Sequence, residues 1–266
     1  MKDRAIGPLR VQPVGLGCMN ISFGYGPAND AESALMLERA VDHGYTFFDT
    51  ATMYGSGHSE TMVGKALKPV RDKVILASKC GLDSNGIDGR PETLHAQCDA
   101  SLQKMDTEVI DLYYLHRVDP EVHIAESVGA LQQLINAGKI RALGLSEVSS
   151  ANLKAALSEA PVAALQSEYS LWSRTPEFGV LDICEENDVT FVPFSPLGRG
   201  FLAGSAVELS TLGEKDLRRT IAHPRFEGEN FVANSKLLDQ FKNIAARLDC
   251  TPAQLALAWF LSLIHV

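Results

Sequence analysis

A chain of 266 residues with 45% apolar side chains can fill one large α/β domain or two ordinary ones, and a single domain over 1–266 is the expectation. The net charge of −9 and pI near 5.3, with no local Lys/Arg block, repel phosphate backbones and argue against nucleic acid as a partner. The first twenty residues lack the apolar core and cleavage site of a secretory signal, and no apolar stretch is long enough to span a bilayer, so a cytoplasmic protein without a membrane partner is expected.

Helical and strand patterns alternate along the chain. A hairpin is expected around Ala5 to Gln12, then a short strand in VGLGCM. DAESALMLERAVDHG has the period of an amphipathic helix, opened by Asp30 as cap and closed by Gly44, and the strand YTFFDTA follows. SGHSETMVGKALK then leads to strand KVILASKC, RPETLHAQCDASLQKM to VIDLYYLH, and EVHIAESVGALQQLINAGK to IRALGLSE. SSANLKAALSEA precedes VAALQSEY, and PEFGVLDICEEND precedes VTFVPFSP. These strands are too uniformly apolar for a sheet wetted on one face, so a parallel sheet covered by helices is indicated.

With VGLGCM counted first, the pattern predicts seven parallel strands of a (β/α)8 TIM barrel preceded by a β-hairpin. A doubly wound sheet is the rival, but it wants a GxGxxG turn that Gly15, Gly17, Gly24 and Gly26 do not form. The segment from Phe201 to Asn230 reads as a long irregular insertion after the seventh strand, and PAQLALAWFLSL as a late helix.

Asp49, Tyr54, Lys79 and His116 fall at or just after the ends of predicted strands, where barrel enzymes keep their chemistry. Taken singly, each has a plainer explanation: Asp49 as a helix cap, Tyr54 and Lys79 as surface residues, His116 as hydrogen-bonded core. Together they favour function. The other histidines, His43, His58, His95, His123, His223 and His265, show no HxH or HExxH spacing, so no metal is expected. The five cysteines, Cys18, Cys80, Cys98, Cys184 and Cys250, are scattered without a CxxC pair and read as reduced thiols, mostly buried filler.

GYTFFDTATMYGSGHSE, Ala77 to Lys79, YYLHR, GLSE, QSEYSL and PFSPLGRGFLAG, in that order, resemble the blocks of the aldo-keto reductase family over nearly the whole chain. The resemblance implies NADPH-dependent reduction of aldehydes and ketones, with a small carbonyl compound as partner and no metal. It makes Tyr54 the proton donor, Lys79 and Asp49 its tuning pair, and His116 the residue that orients the carbonyl. Hydride arriving at a carbonyl carbon leaves charge on oxygen, so a positioned acid must supply a proton. A free tyrosine, with a pKa of about 10, is a poor acid at neutral pH. A neighbouring ammonium can lower that value by roughly 1–3, and a carboxylate beside the lysine keeps it charged.

The resemblance also gives the nicotinamide carboxamide to Ser146 and Gln166, with Glu147 where many members have Asn. Phe194 would stack on the ring, and Ser195, Pro196, Leu197, Gly198 and Gly200 would form a turn whose backbone approaches the pyrophosphate. Met19, Met53 and Trp172 either line an apolar substrate pocket or serve as packing. Family members continue past the late helix into an eighth strand and a final helix that holds the adenosine end. This sequence ends at Val266, so the eighth strand and last helix are expected to be missing or incomplete, and the preference for NADPH over NADH rests on resemblance. A coenzyme-sensing protein without useful turnover is the alternative function. The sequence leaves the oligomeric state open.

Overall fold

The computed structural model describes residues 3–204, 207 and 209–263. The chain opens with an antiparallel hairpin, β1 (Arg4–Ile6) and β2 (Leu9–Val11), then β3 (Leu16–Gly17), α1 (Asp30–Asp42) and β4 (Phe47–Asp49). Next come α2 (His58–Leu67), β5 (Ile75–Cys80), a small hairpin of β6 (Leu82–Asp83) and β7 (Gly86–Ile87), α3 (Pro91–Lys104) and β8 (Ile110–Leu115). α4 (Ile124–Asn136), β9 (Ile140–Ser146), α5 (Ser150–Glu159), β10 (Ala164–Glu168), α6 (Val180–Glu186) and β11 (Thr190–Phe194) follow, then α7 (Gly228–Arg247) and α8 (Pro252–Ser262).

Seven strands form one sheet in the order β11-β10-β9-β8-β5-β4-β3, which is chain order apart from the two hairpins, and the registered pairs among them are parallel. Parallel strands in sequential order with helices between them are the arrangement of a (β/α)8 barrel, and the fold class read from the sequence is the one observed. Every residue of β8 is buried, as a central parallel strand covered on both faces requires. Ile264, His265 and Val266, where an eighth strand would begin, lie outside the described residues.

The described chain divides into two compact units. The first takes in the chain up to Phe23, Pro27–Gln166 and Gly179–Phe191. Its core is built from Leu37, Phe48, Val63, Leu76, Leu94, Leu112, Leu131, Leu143 and Leu165, each at most 1% exposed. Burial of each such side chain contributes about 1.5–3 kcal/mol. The second unit takes in Gly24–Gly26, Ser167–Phe178 and the chain from Val192 onward, and its core gathers Phe201, Leu202, Phe226 and Leu238. Cys18, Cys80, Cys98 and Cys184 are buried and free, Cys250 is half-buried, and burial pushes the thiols of Cys18, Cys98 and Cys184 up to about 12. Among the described residues, no helix is long and apolar enough to cross a membrane.

Several local assignments change. The cap of α1 is Asn29, whose Oδ1 accepts from the Glu32 N–H at 3.0 Å, while Asp30 is the first helical residue. Gly44 stands past the helix end at φ 85°, in the left-handed conformation expected of it. The insertion after β11 ends at Glu227 rather than Asn230, and α7 was not legible because only Leu238 and Ala245 on it are buried, too sparse a stripe to register as a period. The β6–β7 hairpin has strands too short to show alternation.

α2 and the C-terminal cap of α3 meet backbone to backbone at Gly64. A Cβ there would stand 2.3 Å from the Met105 carbonyl oxygen and 2.4 Å from its Cα. Alanine is the better helix former by about 1 kcal/mol, but backbone cannot yield as a side-chain tip can. Overpacking costs about 1–3 kcal/mol, so Gly64→Ala is expected to lower the thermal midpoint by several degrees, and an equal or higher midpoint would contradict this packing.

Candidate active site

The strand order sets side chains from β4, β5, β8, β9 and β10 along one end of the parallel sheet. Asp49 closes β4, Lys79 is the next-to-last residue of β5, His116 follows β8, and Ser146 closes β9 in register with Gln166 of β10. Tyr54 begins a tight turn after β4 in which Gly55, Ser56 and Gly57 all take positive φ, at 60°, 54° and 94°. A left-handed Ser56 between two glycines makes this a strained turn, one that the surrounding structure must hold.

Lys79 is 1% exposed and forms an ion pair with Asp49. Its Nζ also donates to the Thr50 carbonyl at 2.9 Å and to Tyr54 Oη at 3.5 Å. The second oxygen of Asp49 accepts from Gln166 Nε2 at 2.9 Å, so the carboxylate is held from two sides. The His116 ring stands edge-on to the Tyr54 ring at 6.0 Å and 85°, and Phe23 packs on Tyr54 at 5.9 Å. The structure thus brings all four predicted residues together.

Burial alone would strip Lys79 of its proton, but the charge of Asp49, with Tyr54 beside it, outweighs that and holds the pKa above the ordinary lysine value. Burial is also the largest influence on Tyr54 and pushes its pKa above the ordinary value, with Lys79 and Arg117 opposing and Asp49 reinforcing. The expected lowering of the tyrosine by its lysine is therefore overcome by desolvation. His116 is driven down to about 2, by burial first and then by Lys79 and Arg117. It is neutral at any working pH, and its Nδ1 is buried without a hydrogen-bond partner among the described residues.

Arg117 was not singled out in the sequence. Its Nη1 donates to the His116 carbonyl at 2.5 Å and to Ser146 Oγ at 3.1 Å, and only its place beside His116 in YYLHR pointed to it. Phe23 carried no motif at all. Ser146 and Gln166 are both buried. With its amide nitrogen committed to Asp49, Gln166 keeps Oε1 to accept from an amide NH2, and the Ser146 hydroxyl can donate to an amide carbonyl. That donor set fits a nicotinamide carboxamide. Glu147 is exposed at φ 56°, a left-handed conformation that Asn adopts more readily than Glu. Met19 and Met53 are half-buried, Met53 directly before Tyr54.

The remaining predicted residues belong to the second unit. Phe194 ends β11, and Ser195, Gly198, Arg199 and Gly200 take positive φ in the turn that contains Pro196 and Leu197. The Gly198 N–H donates to the Ser195 carbonyl at 2.8 Å and the Gly200 N–H to the Leu197 carbonyl at 3.1 Å, so those two donors close the turn itself. Trp172 packs on Phe201 at 3.9 Å and on Phe226 at 5.9 Å, as part of that unit's core. Among the described residues no group of three or more His, Cys, Asp or Glu could hold a metal ion.

The depressed His116 pKa couples to stability. An unfolded histidine takes up a proton below about pH 6.5, whereas the folded chain does not until near 2. The stabilisation is therefore present above pH 6.5 and lost as pH falls, by up to about 1.4 kcal/mol per pH unit. Denaturant unfolding between pH 6 and 4 should show His116→Asn losing stability less steeply than the parent, and equal slopes would mean that His116 protonates normally.

A family model described as the aldo/keto reductase family matches residues 13–265. A probable aldo-keto reductase 1 of Glycine max is 41% identical over 94% of this chain and 74% of its own length. Aldo-keto reductase yakc of Schizosaccharomyces pombe, whose name specifies NADP(+), is 38% identical over 97% and 79%. Among solved structures, the glycerol dehydrogenase AKR11B4 of Gluconobacter oxydans superposes with a TM-score of 0.86 at 31% identity, covering 97% of this chain and 82% of that one. A Klebsiella pneumoniae aldo/keto reductase in complex with NADP and acetate superposes with a TM-score of 0.70 at 27% identity, covering 97% and 80%. Matched in this way over nearly all its length, the chain belongs to the aldo/keto reductase family of NAD(P)H-dependent oxidoreductases.

Proposed function

We propose that this protein reduces small aldehydes and ketones to alcohols with NADPH, using Tyr54 as the proton donor. The observation that carries the reading is the chain Asp49–Lys79–Tyr54 built around a buried lysine, with a neutral His116 beside the phenol. A bound reduced nicotinamide supplies a hydride to the carbonyl carbon. The chain does the rest. Tyr54, its pKa raised, stands protonated at neutral pH and gives its proton to the carbonyl oxygen as charge develops there. Lys79 then stabilises the tyrosinate left behind, in a buried setting where that charge interaction is strong, and Asp49 keeps the lysine protonated and aimed. Neutral His116 donates an N–H to the carbonyl oxygen and steers it toward Tyr54.

Ser146 and Gln166 offer the carboxamide its donor and acceptor, and Arg117, by donating to Ser146 Oγ, leaves that hydroxyl proton free to point outward. Family resemblance assigns the face of Phe194 and the turn of Ser195, Pro196, Leu197, Gly198 and Gly200 to the coenzyme. NADPH over NADH is supported by the NADP(+) in the name of the S. pombe relative and by NADP in the K. pneumoniae structure. Phe23 on the Tyr54 ring, Met53 directly before Tyr54 and Met19, whose carbonyl accepts from the Phe23 N–H, favour carbonyl compounds with an apolar or aromatic substituent.

Tyr54→Phe should lower kcat by roughly 10²–10⁴-fold, the usual contribution of a positioned acid, with NADPH affinity unchanged. A variant that keeps most of its rate would refute the assignment. Lys79→Met should lose turnover comparably, and because it leaves the Asp49 carboxylate without its cation it should also cost about 3–5 kcal/mol of stability. For coenzyme choice, kcat/KM measured with NADPH and NADH should favour NADPH, and equal values would refute that part of the proposal.

A further inference from the structure

Glu60 is 0% exposed in the first turn of α2, outside the group that surrounds Tyr54, and the reaction proposed above makes no use of it. A carboxyl group so buried needs a reason, because taking it out of water is costly unless it is paired. Its contacts run in two directions. Ser78 Oγ donates to Glu60 Oε1 at 2.6 Å, and Ser78 immediately precedes Lys79 on β5. On the other side, Lys104 of α3 brings its Nζ to 3.9 Å from Glu60 Oε2 and donates to the Ser56 carbonyl at 3.4 Å.

That lysine lies across the turn that begins with Tyr54. A Cβ on Gly57 would stand 2.2 Å from Lys104 Nζ and 2.5 Å from its Cδ and Cε, so the turn and the lysine stem are in close contact. The Ser101 hydroxyl, close enough to Glu60 to oppose the rise in its pKa, lies 3.3 Å from Thr52 Oγ1 and 3.3 Å from Tyr113 Oη. The Thr52 N–H donates to the Lys79 carbonyl at 3.1 Å, two residues before Tyr54. One carboxylate is therefore tied to the strand that carries Lys79 and to the left-handed turn that carries Tyr54.

We infer that Glu60 is a positioning residue for the proposed proton transfer: through Ser78 on one side and Lys104 on the other, it fixes the separation of Lys79 Nζ from Tyr54 Oη. That separation is 3.5 Å, the outer limit of a hydrogen bond, so a small relaxation of either element breaks the contact. The carboxylate touches neither group and acts through the backbone it anchors. This inference rests on the proposed function, and Tyr54→Phe separates the two.

The test compares the full chain with Glu60→Ala, Glu60→Gln and Lys104→Met, measuring kcat, KM for an aromatic aldehyde, the NADPH dissociation constant and the pH profile of kcat. Misplacing a reacting group by a fraction of an ångström to 1 Å costs roughly ten- to a hundredfold in rate. Glu60→Ala should lower kcat by that factor while leaving KM and NADPH binding within about twofold. The alkaline limb of kcat should move to higher pH, because Tyr54 loses the ammonium that opposes the rise in its pKa. Glu60→Gln, which keeps an oxygen to accept from Ser78, should recover most of the rate, and Lys104→Met should show a smaller loss with the same upward shift. A folded Glu60→Ala with normal kcat, or one whose kcat falls with the limb unmoved and NADPH binding weakened in proportion, overturns the inference. Should Glu60→Ala fail to fold, the other two variants decide it by the same readings. An active Tyr54→Phe would remove the proposed function as well, whereas an inactive Tyr54→Phe beside an unaffected Glu60→Ala would remove only the inference.

Discussion

The site depends on keeping an ammonium charged where almost no water reaches it. Lys79 is 1% exposed, and a lone amine in that position would shed its proton. It stays charged because Asp49 faces it and the Thr50 carbonyl accepts from it, and Asp49 is fixed in turn by Gln166. These residues come from β4, β5 and β10, so the charge is secured only when distant strands have assembled. The same low-dielectric surroundings keep His116 neutral.

The protein thus turns a penalty into a resource. Burial raises Tyr54 and lowers His116, so both rings are uncharged at neutral pH. Lys79 and Asp49 form an ion pair at the centre, each compensating the other's charge. Preorganisation of this kind leaves little to rearrange when charge moves. The strained turn at Gly55–Gly57 belongs to the same arrangement, since it brings a residue distal to β4 back over the lysine of β5.

Much of this was legible in the sequence. The alternation of apolar runs with helical periods marked the seven parallel strands, because strands buried on both faces leave continuous apolar runs. Strand ends located Asp49, Lys79 and His116, and family blocks added Tyr54, Ser146 and Gln166. What escaped was carried by interactions without a local pattern. Phe23 meets Tyr54 through folding alone, α7 buries too little to show a period, and the reversal at Tyr54, where desolvation outweighs the lysine, depends on an environment that spacing does not report. Asn29 rather than Asp30 caps α1 because either residue type suits that position, and sequence cannot choose between neighbours.

The cysteines have a consequence of a different sort. A thiolate is a nucleophile that adds to electrophilic carbonyl carbons, so an accessible one is open to attack on any aldehyde it meets. Four of its five cysteines are buried, and those whose pKa stands near 12 carry a vanishing fraction of thiolate at neutral pH. Cys18 adjoins the site, with its backbone N–H bonded to the Asp49 carbonyl, and its thiol is pushed up by burial and by the Asp49 charge. Burial and the Asp49 charge thus keep the Cys18 thiol protonated, and so a poor nucleophile, at neutral pH.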